Sequence, residues 1–312
     1  MRRLLRLPPW TIVAVGAISL LDAATGAESD RTDRTDRTDL SSALAPPNLA
    51  AIERLKREEL DAAQALVDAR PDDPDAIGIL GNVYLHQGRQ ADAVACWERA
   101  VRINPEAPTG YYAMAEVAFL QEDHERAAAL WQQAATLNSR LRGVHRRLGE
   151  TYLLMGRADR ARAELEEECR LDPESAPSLF LLGQIHLQSR EYPEAERRFR
   201  RALDLEPSLT RALYGLYRAV LAQGRQPEAT EVLARFRREK GADTSADRTA
   251  RGAYDDESRI AAQVARTLFS IAQIHQRRSS PAAARQALDR AIQLDPHNPA
   301  YLRLHERLSA DQ

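Results

Sequence analysis

Histidine side chains are the groups in this sequence best suited to holding a metal ion. Two ligands share one helix face when they lie four residues apart, and no histidine has an acidic partner at that spacing,. The seven histidines are His86, His124, His145, His186, His275, His297 and His305. We therefore predict no metal site.

The two cysteines and an acidic triplet give no catalytic arrangement either. Cys96 and Cys169 fall in the second helices of the first and third units of a 34-residue repeat. The unit between them keeps them too far apart for a disulfide. The run Glu166, Glu167 and Glu168 is interpreted as a solvated helix face rather than an acid–base pair. Phosphate-binding glycine loops, nucleophile elbows and haem-attachment motifs are absent from the sequence. The chain is therefore predicted to be no enzyme and to need no cofactor.

The charge balance gives no reason to expect a nucleic-acid partner. The chain has 44 Lys and Arg against 46 Asp and Glu, for a formal net charge of −2. Its arginines are scattered rather than clustered, whereas nucleic-acid binding requires a basic patch or stripe.

A period of 34 residues organises the middle of the chain. Five consecutive units occupy residues 74–243 without an inserted or deleted residue, and a sixth unit with the same pattern occupies residues 265–298. The first unit shows the pattern in full: Leu80, Gly81, Tyr84, Ala93, Trp97, Ala100 and Pro105. Such a period is the signature of a repeat architecture in which each unit stacks on its neighbours.

This pattern resembles the tetratricopeptide repeat, whose units carry a large residue, Leu-Gly, Tyr, Ala, Phe, Ala and Pro at fixed offsets. The resemblance covers about two-thirds of the chain. It implies an all-α fold, a right-handed superhelical solenoid of antiparallel helix pairs with about six units plus capping helices. Gly81, Gly149 and Gly183 would then permit close approach of the two helices of a unit. Glycines between the helices, such as Gly88 and Gly156, suit a left-handed helix terminus.

The N-terminal segment predicts export. Residues 1–27 combine Arg2, Arg3 and Arg6 with an uncharged apolar stretch and small residues, the pattern of a cleavable signal peptide. The apolar stretch is short for a bilayer span, so we expect no integral membrane span after cleavage; a retained anchor is the alternative. We expect an exported bacterial protein of the periplasm or cell envelope, or of the cell exterior. Residues 28–47 contain three Arg-Thr-Asp triplets and predict a disordered linker.

Three further segments flank or interrupt the repeats. Residues 48–73 predict an N-terminal capping helix or a degenerate repeat, and residues 299–312 predict a C-terminal capping helix. Residues 244–264 form an insertion between the fifth and sixth units. Its small polar start predicts a loop, and its end predicts an extended first helix beginning near Ser258.

The resemblance also implies a binding surface. In tetratricopeptide arrays the first helices of the units line a concave groove, with exposed residues at recurring positions. One such position is Gly78 in the first unit and a larger residue in those that follow. The expected groove residues are Tyr112, Phe119, Arg146, Glu150, Phe180, Gln184, Tyr214, Arg218 and Phe269. Such a groove suits an extended or helical peptide, although these aromatic residues could instead pack against neighbouring units.

These observations favour a non-catalytic scaffold or adaptor that binds a peptide segment of a partner protein in the groove. The alternative is an accessory subunit of an exported enzyme or of a cell-envelope biogenesis complex, docking through the convex face or the insertion. A third hypothesis is self-assembly, since solenoids with poor caps can stack end to end. The sequence does not name the partner.

Overall fold

The computed structural model describes residues 49–253, 256–278 and 280–310, so the predicted signal peptide and linker lie outside the described residues. In this part of the chain there are fourteen helices and no strand. In order, the helices are α1 (Leu49–Ala69), α2 (Pro74–His86), α3 (Gln90–Ile103), α4 (Pro108–Leu120), α5 (His124–Leu137), α6 (Val144–Leu154), α7 (Ala158–Leu171), α8 (Ala176–Gln188), α9 (Tyr192–Leu205), α10 (Thr210–Ala222), α11 (Gln226–Ala253), α12 (Asp256–Arg277), α13 (Pro281–Leu294) and α14 (Pro299–Ala310). Over the described ranges, no helix is both long enough and apolar enough to span a membrane.

The helices pair as the 34-residue period predicts. The five consecutive units are α2–α3, α4–α5, α6–α7, α8–α9 and α10–α11, and the second helices α3, α5, α7 and α9 also pack on the first helix of the next unit. The sixth unit is α12–α13. The predicted all-α solenoid of helix pairs is confirmed.

Glycine sets the distance between the two helices of a unit. A Cβ atom added at Gly183 would lie 2.6 Å from the ring of Phe199, and one at Gly149 would lie 2.5 Å from Leu165. The Phe199 ring is also held from the next unit, because a Cβ at Gly215 would lie 2.5 Å from it. At these crossings the large residue of the second helix therefore fills space that only glycine leaves open.

The turn inside each of the five consecutive units places one residue in the left-handed region. Gly88, Gly156 and Gly224 have φ values of 76°, 70° and 78°, as the sequence predicted. The equivalent turns of the second and fourth units use Glu122 and Arg190, with φ values of 61° and 62°. Those two units therefore accept backbone strain that glycine avoids.

The segment after the fifth unit differs from the prediction. The insertion was expected to begin as a loop, but α11 continues without interruption to Ala253, and α12 begins at Asp256 rather than near Ser258. At 1.5 Å per residue, the 28 residues of α11 extend over about 42 Å. No proline interrupts residues 240–253, so nothing in the sequence forces the helix to end there,.

The sixth unit packs against the N-terminal helices. Helix α12 packs on α1 and also contacts α2, and the three elements share one apolar cluster. Leu66 and Val67 of α1 lie in this cluster with Val264, Leu268 and other residues of the C-terminal unit. The predicted capping helix α1 is therefore covered by α12 rather than left at an open end of the array.

A buried carboxylate joins these helices. Glu59 of α1 is fully buried and accepts hydrogen bonds from Thr267 at 2.7 Å and Gln263 at 3.3 Å, both in α12. His86 of α2 lies 3.3 Å from the same carboxylate. Burial by itself raises the pKa of Glu59, but the bonds from His86 and Thr267 outweigh it and hold the pKa below its ordinary value of 4.5. Glu59 therefore stays ionised and satisfied inside the interface.

The direction of α12 departs from regular stacking. Its middle meets Glu59 in the middle of α1, and its end meets the beginning of α2, where Arg277 lies 3.3 Å from Asp75. Because α1 and α2 form an antiparallel hairpin, α12 runs parallel to α1 and antiparallel to α2. First helices of adjacent repeats normally run in the same direction, so the sixth unit closes on the first without continuing the solenoid.

Replacing Gly183 by alanine should destabilise the protein by about 1–3 kcal/mol, because the new methyl group overlaps the Phe199 ring. Gly78 is the matched control, since it also lies in a first helix but has no atom within 4 Å of an added Cβ. Gly78→Ala should therefore stabilise by about 0.5–1 kcal/mol through helix propensity. Urea unfolding monitored by circular dichroism measures both, and equal effects of the two substitutions would contradict the packing.

Replacing Glu59 by glutamine should release α12, because the amide presents a donor where three donors already converge. We expect faster proteolysis within α12–α14 and a loss of about 2 kcal/mol or more. A depressed carboxyl pKa stabilises the fold above the ordinary value and loses that stability as the pH falls below about 4.5,. The wild type should lose this contribution in acid and Glu59→Gln should not. Glu53→Gln, an exposed change on the same helix, should match the wild type.

Candidate functional site

The outward side chains of α4, α6, α8 and α10 form a continuous surface, which we call the first-helix face. Successive units contact each other across it. Arg147 of α6 bonds Glu116 of α4 at 2.8 Å, and the guanidinium of Arg211 in α10 lies 5.1 Å from the ring centroid of Phe180 in α8. The sequence-predicted groove residues other than Phe269 lie on these four helices.

Tyr112 and Phe119 of α4 are half-buried on this face. Both rings pack on Trp131 of α5, with centroid separations of 6.2 Å for Tyr112 and 5.6 Å for Phe119. Burial, together with the nearby carboxylate of Glu116, raises the pKa of Tyr112. Both side chains support the helix pair, and the guanidinium of Arg147 lies 5.8 Å from the ring centroid of Phe119.

Arg146 and Glu150 of α6 belong to a charge network. Arg146 bonds Glu150 at 2.6 Å, and Arg147 bonds the other oxygen of Glu150 at 3.1 Å as well as Glu116. The two guanidiniums and two carboxylates balance one another. This part of the face is therefore polar but carries no excess charge.

Phe180 is not available to a ligand, in contrast to the prediction. Only 5% of its surface is exposed, because its ring packs 6.1 Å from Phe199 and lies under Arg211. The recurring position is therefore buried in the fourth unit. Gln184, one turn later, is half-buried.

The fifth unit has the most exposed part of the face. Tyr214 is 47% exposed, and its ring packs against Tyr217 and Phe236 at 5.9 Å and 5.4 Å. Arg218 is exposed, and within the described residues it has no ion-pair partner. This pair offers an aromatic surface beside a free guanidinium.

The first turn of α6 is held by groups that sequence reasoning interpreted differently. Glu168 was assigned to a solvated face, but it is only 4% exposed. Its carboxylate accepts the backbone N–H of Arg146 at 3.2 Å, and burial raises its pKa. The predicted solvated face holds for Glu166, which is exposed, and for Glu167, which is partly exposed and pairs with Arg170 at 2.5 Å.

His145, in the same turn, has a structural role. Its Nδ1 lies 2.7 Å from Glu164, and its Nε2 lies 2.9 Å from the carbonyl oxygen of Ser139. Both neighbours are acceptors, so both ring nitrogens must donate, and the bond to Glu164 raises the pKa of His145. The protonated ring joins α7 to the turn before α6 and leaves no lone pair for a metal ion or a base.

A cleft opens between α2, the start of α4, and α12. Its volume is about 270 Å³, and Gly78 lies on its floor. Asn82 of α2 and Gln273 of α12 contribute amide groups, while Ile79 and Ile274 contribute apolar surface. A narrower continuation runs along the same two helices past Ser270 to His86. We call this space the α2–α12 cleft.

A second, more open recess lies on the other side of α12. Phe269, the last predicted groove residue, lines it together with Gln273 of α12 and with Arg303 and Arg307 of α14. The Phe269 ring is supported from below by Tyr301, at a centroid separation of 4.8 Å. Gln273 borders both spaces, so the recess and the α2–α12 cleft are adjacent.

Sequence reasoning missed the α2–α12 cleft. It placed Gly78 and Phe269 at the same recurring position of the repeat, but it did not predict that the first and sixth units face each other. The cleft depends on contacts between residues roughly two hundred positions apart, such as Arg277 with Asp75. The absence of a side chain at Gly78, where later units carry large residues, was the signal that could have indicated a vacancy.

The family comparisons agree with this architecture. A model described as "TPR repeat" matches residues 81–122. A second, "Tetratricopeptide repeat", matches residues 112–176 and 180–244. Neither model describes an enzyme. The search of curated proteins found no match.

Solved structures show the same fold at low sequence identity. A MamA double mutant of strain RS-1 is 17% identical, with a TM-score of 0.51; the match covers 59% of this chain and 98% of that one. MamA from Desulfovibrio magneticus RS-1, residues 41 to the end, is 17% identical, with a TM-score of 0.50, and the match covers 58% and 97%. The C-terminal part of a repeat protein from Cytophaga hutchinsonii is 14% identical, with a TM-score of 0.50 and coverage of 81% and 98%. Together with the family matches, these likenesses establish that the chain is built of tetratricopeptide repeats.

Proposed function

We propose that this chain is a non-catalytic scaffold that binds a peptide segment of a partner protein. The observation that carries the proposal is the α2–α12 cleft, a preformed space of about 270 Å³ whose walls offer both apolar surface and amide groups. Peptide segments bind to such surfaces because the amides pair with the peptide backbone while the apolar surface accepts side chains.

The first-helix face extends this surface. Tyr214 and Arg218 provide an exposed aromatic ring and a guanidinium, the two side-chain types that most often dominate binding energy in protein interfaces. Tyr112 and Phe119 add half-buried aromatic surface nearer the cleft. Glu168 and His145, by contrast, are tied into structural bonds. This arrangement favours binding over catalysis.

The repeat family supports the same function, because stacked helix pairs create extended surfaces that present side chains from many units. We assign the partner to the cleft and the first-helix face, and not to the outer helices, because the open space of the α2–α12 cleft lies there. The alternative is docking of a catalytic chain through the convex face or the insertion. Photocrosslinking distinguishes this alternative from binding in the cleft.

Photocrosslinking from single positions tests this proposal. A photoreactive amino acid at Ser270 in the cleft or at Tyr214 on the first-helix face should give a covalent adduct with a partner protein in cells that make this chain. The same group at Arg102, an exposed position of the second helix α3, serves as the matched control. We expect adducts from the first two positions and none from the control.

Adducts formed only from Arg102 or from positions in residues 244–253 would contradict the proposal and favour docking through the outer surface. Crosslinks to a second copy of this chain would support self-assembly instead. Mass spectrometry of each adduct identifies which of these cases applies.

A further inference from the structure

The first unit has a vacancy that the other units fill. The recurring first-helix position carries Tyr112, Arg146, Phe180 and Tyr214 in the second to fifth units, but it carries Gly78 in the first. An added Cβ at Gly78 would have no atom within 4 Å. Space that would hold a large side chain in a regular unit is therefore open here, and it forms part of the α2–α12 cleft.

The C-terminal unit supplies the opposite wall of this vacancy. Ile274 and Gln273 of α12 face the space that Gly78 leaves. The ion pair of Arg277 with Asp75, at 3.3 Å, closes its end. The site is thus composite, because the first and last repeats of the chain each provide one side, and Glu59 holds the two sides together.

The shape and chemistry of the vacancy suit one aromatic side chain. The floor is apolar, with the edge of Trp97, Ile79 and Ala113 among its lining residues. The indole N–H of Trp97 already donates a hydrogen bond to the carbonyl oxygen of Gly78 at 3.3 Å, so it needs no acceptor from a ligand. The amides of Asn82 and Gln273 at the rim can pair with a peptide backbone or a phenol hydroxyl.

The recess beside the cleft indicates which charge a ligand should carry next to its aromatic side chain. Arg277, Arg278 and Arg290 of the C-terminal unit are all paired with carboxylates. In the described part of the chain, Arg303 and Arg307 have no such partner. They lie one helical turn apart on α14 and border the recess at Phe269. Glu306 is the one acidic residue lining it, so the recess has an excess of positive charge suited to carboxylates.

We propose that the fold-back of the sixth unit creates a site for a partner segment with an aromatic anchor accompanied by acidic residues. The aromatic side chain occupies the vacancy at Gly78, and the carboxylates pair with Arg303 and Arg307 across α12. This inference rests on the proposed function, since it specifies the ligand of the same peptide-binding surface.

A phage-displayed library of random 12-residue peptides, selected on the full chain, tests this inference. Gly78→Tyr is the blocking variant, because it restores the side chain that the second and fifth units carry. Gly78→Ala is its matched control, since its methyl group enters open space. Arg303→Glu with Arg307→Glu tests the charged recess. Arg102→Glu with Arg140→Glu is the charge-matched control, since both positions are exposed, Arg102 on α3 and Arg140 in the turn after α5. Circular dichroism verifies the fold of each variant.

Peptides enriched on the wild type should share an aromatic residue with acidic neighbours. Gly78→Tyr and the Arg303/Arg307 variant should each weaken their binding by about tenfold or more, as expected for the loss of an anchor contact. Gly78→Ala and the Arg102/Arg140 variant should bind like the wild type. Replacing the aromatic residue of the peptide by alanine should have the same effect as Gly78→Tyr.

Two results would overturn the inference in different ways. Enriched peptides that bind Gly78→Tyr and the wild type equally, or that lack an aromatic residue, would refute the anchor and leave peptide binding elsewhere on the first-helix face. Failure to enrich any peptide over the unselected library would count against the proposed function itself.

Discussion

The burial of one carboxylate between three helices is the constraint on which the shape of the binding region depends. An ionised carboxylate such as that of Glu59 is tolerated inside a protein only when it is fully hydrogen-bonded. Its partners come from both ends of the chain, with His86 in α2 and Gln263 and Thr267 in α12. The apolar cluster around them supplies the main favourable energy, while the carboxylate fixes the position of α12 along α1. Without that position, the α2–α12 cleft would have only one wall.

The rest of the molecule follows a simpler rule. Each repeat cannot bury its apolar surface alone, so its stability comes from stacking on the next unit. Glycine at the helix crossing and a large residue opposite it set the separation, as Phe199 between Gly183 and Gly215 shows. Because this packing is local, it repeats with little variation, and substitutions of surface residues can change the binding face without disturbing the core. The α2–α12 cleft exists mainly because Gly78 has no side chain at a position where the next four units carry a larger residue.

The sequence predicted the repeated part of the fold because the information there is local. The 34-residue period defined the helix pairs, and the glycines at positions 81, 149 and 183 indicated where the helices cross. The docking of α12 on α1 was not predictable in this way, since it joins residues roughly two hundred positions apart and leaves no periodic signal. Phe180 and Glu168 were misjudged for a related reason. Their burial depends on other helices, with Arg211 of the next unit above Phe180 and the first turn of α6, in the same unit, beside Glu168.

The contact between the two ends of the chain is the central claim, and spin labelling tests it most directly. Labels at Asp75 and Arg277, whose side chains lie 3.3 Å apart in the structure, would be attached in a chain whose two cysteines are replaced. The account predicts strong dipolar broadening that persists when labelled chains are diluted with unlabelled ones. Absence of broadening would show that α12 does not lie against α2. Broadening that disappears on dilution would show that α12 docks on a second copy, and either result would contradict a site built within one chain.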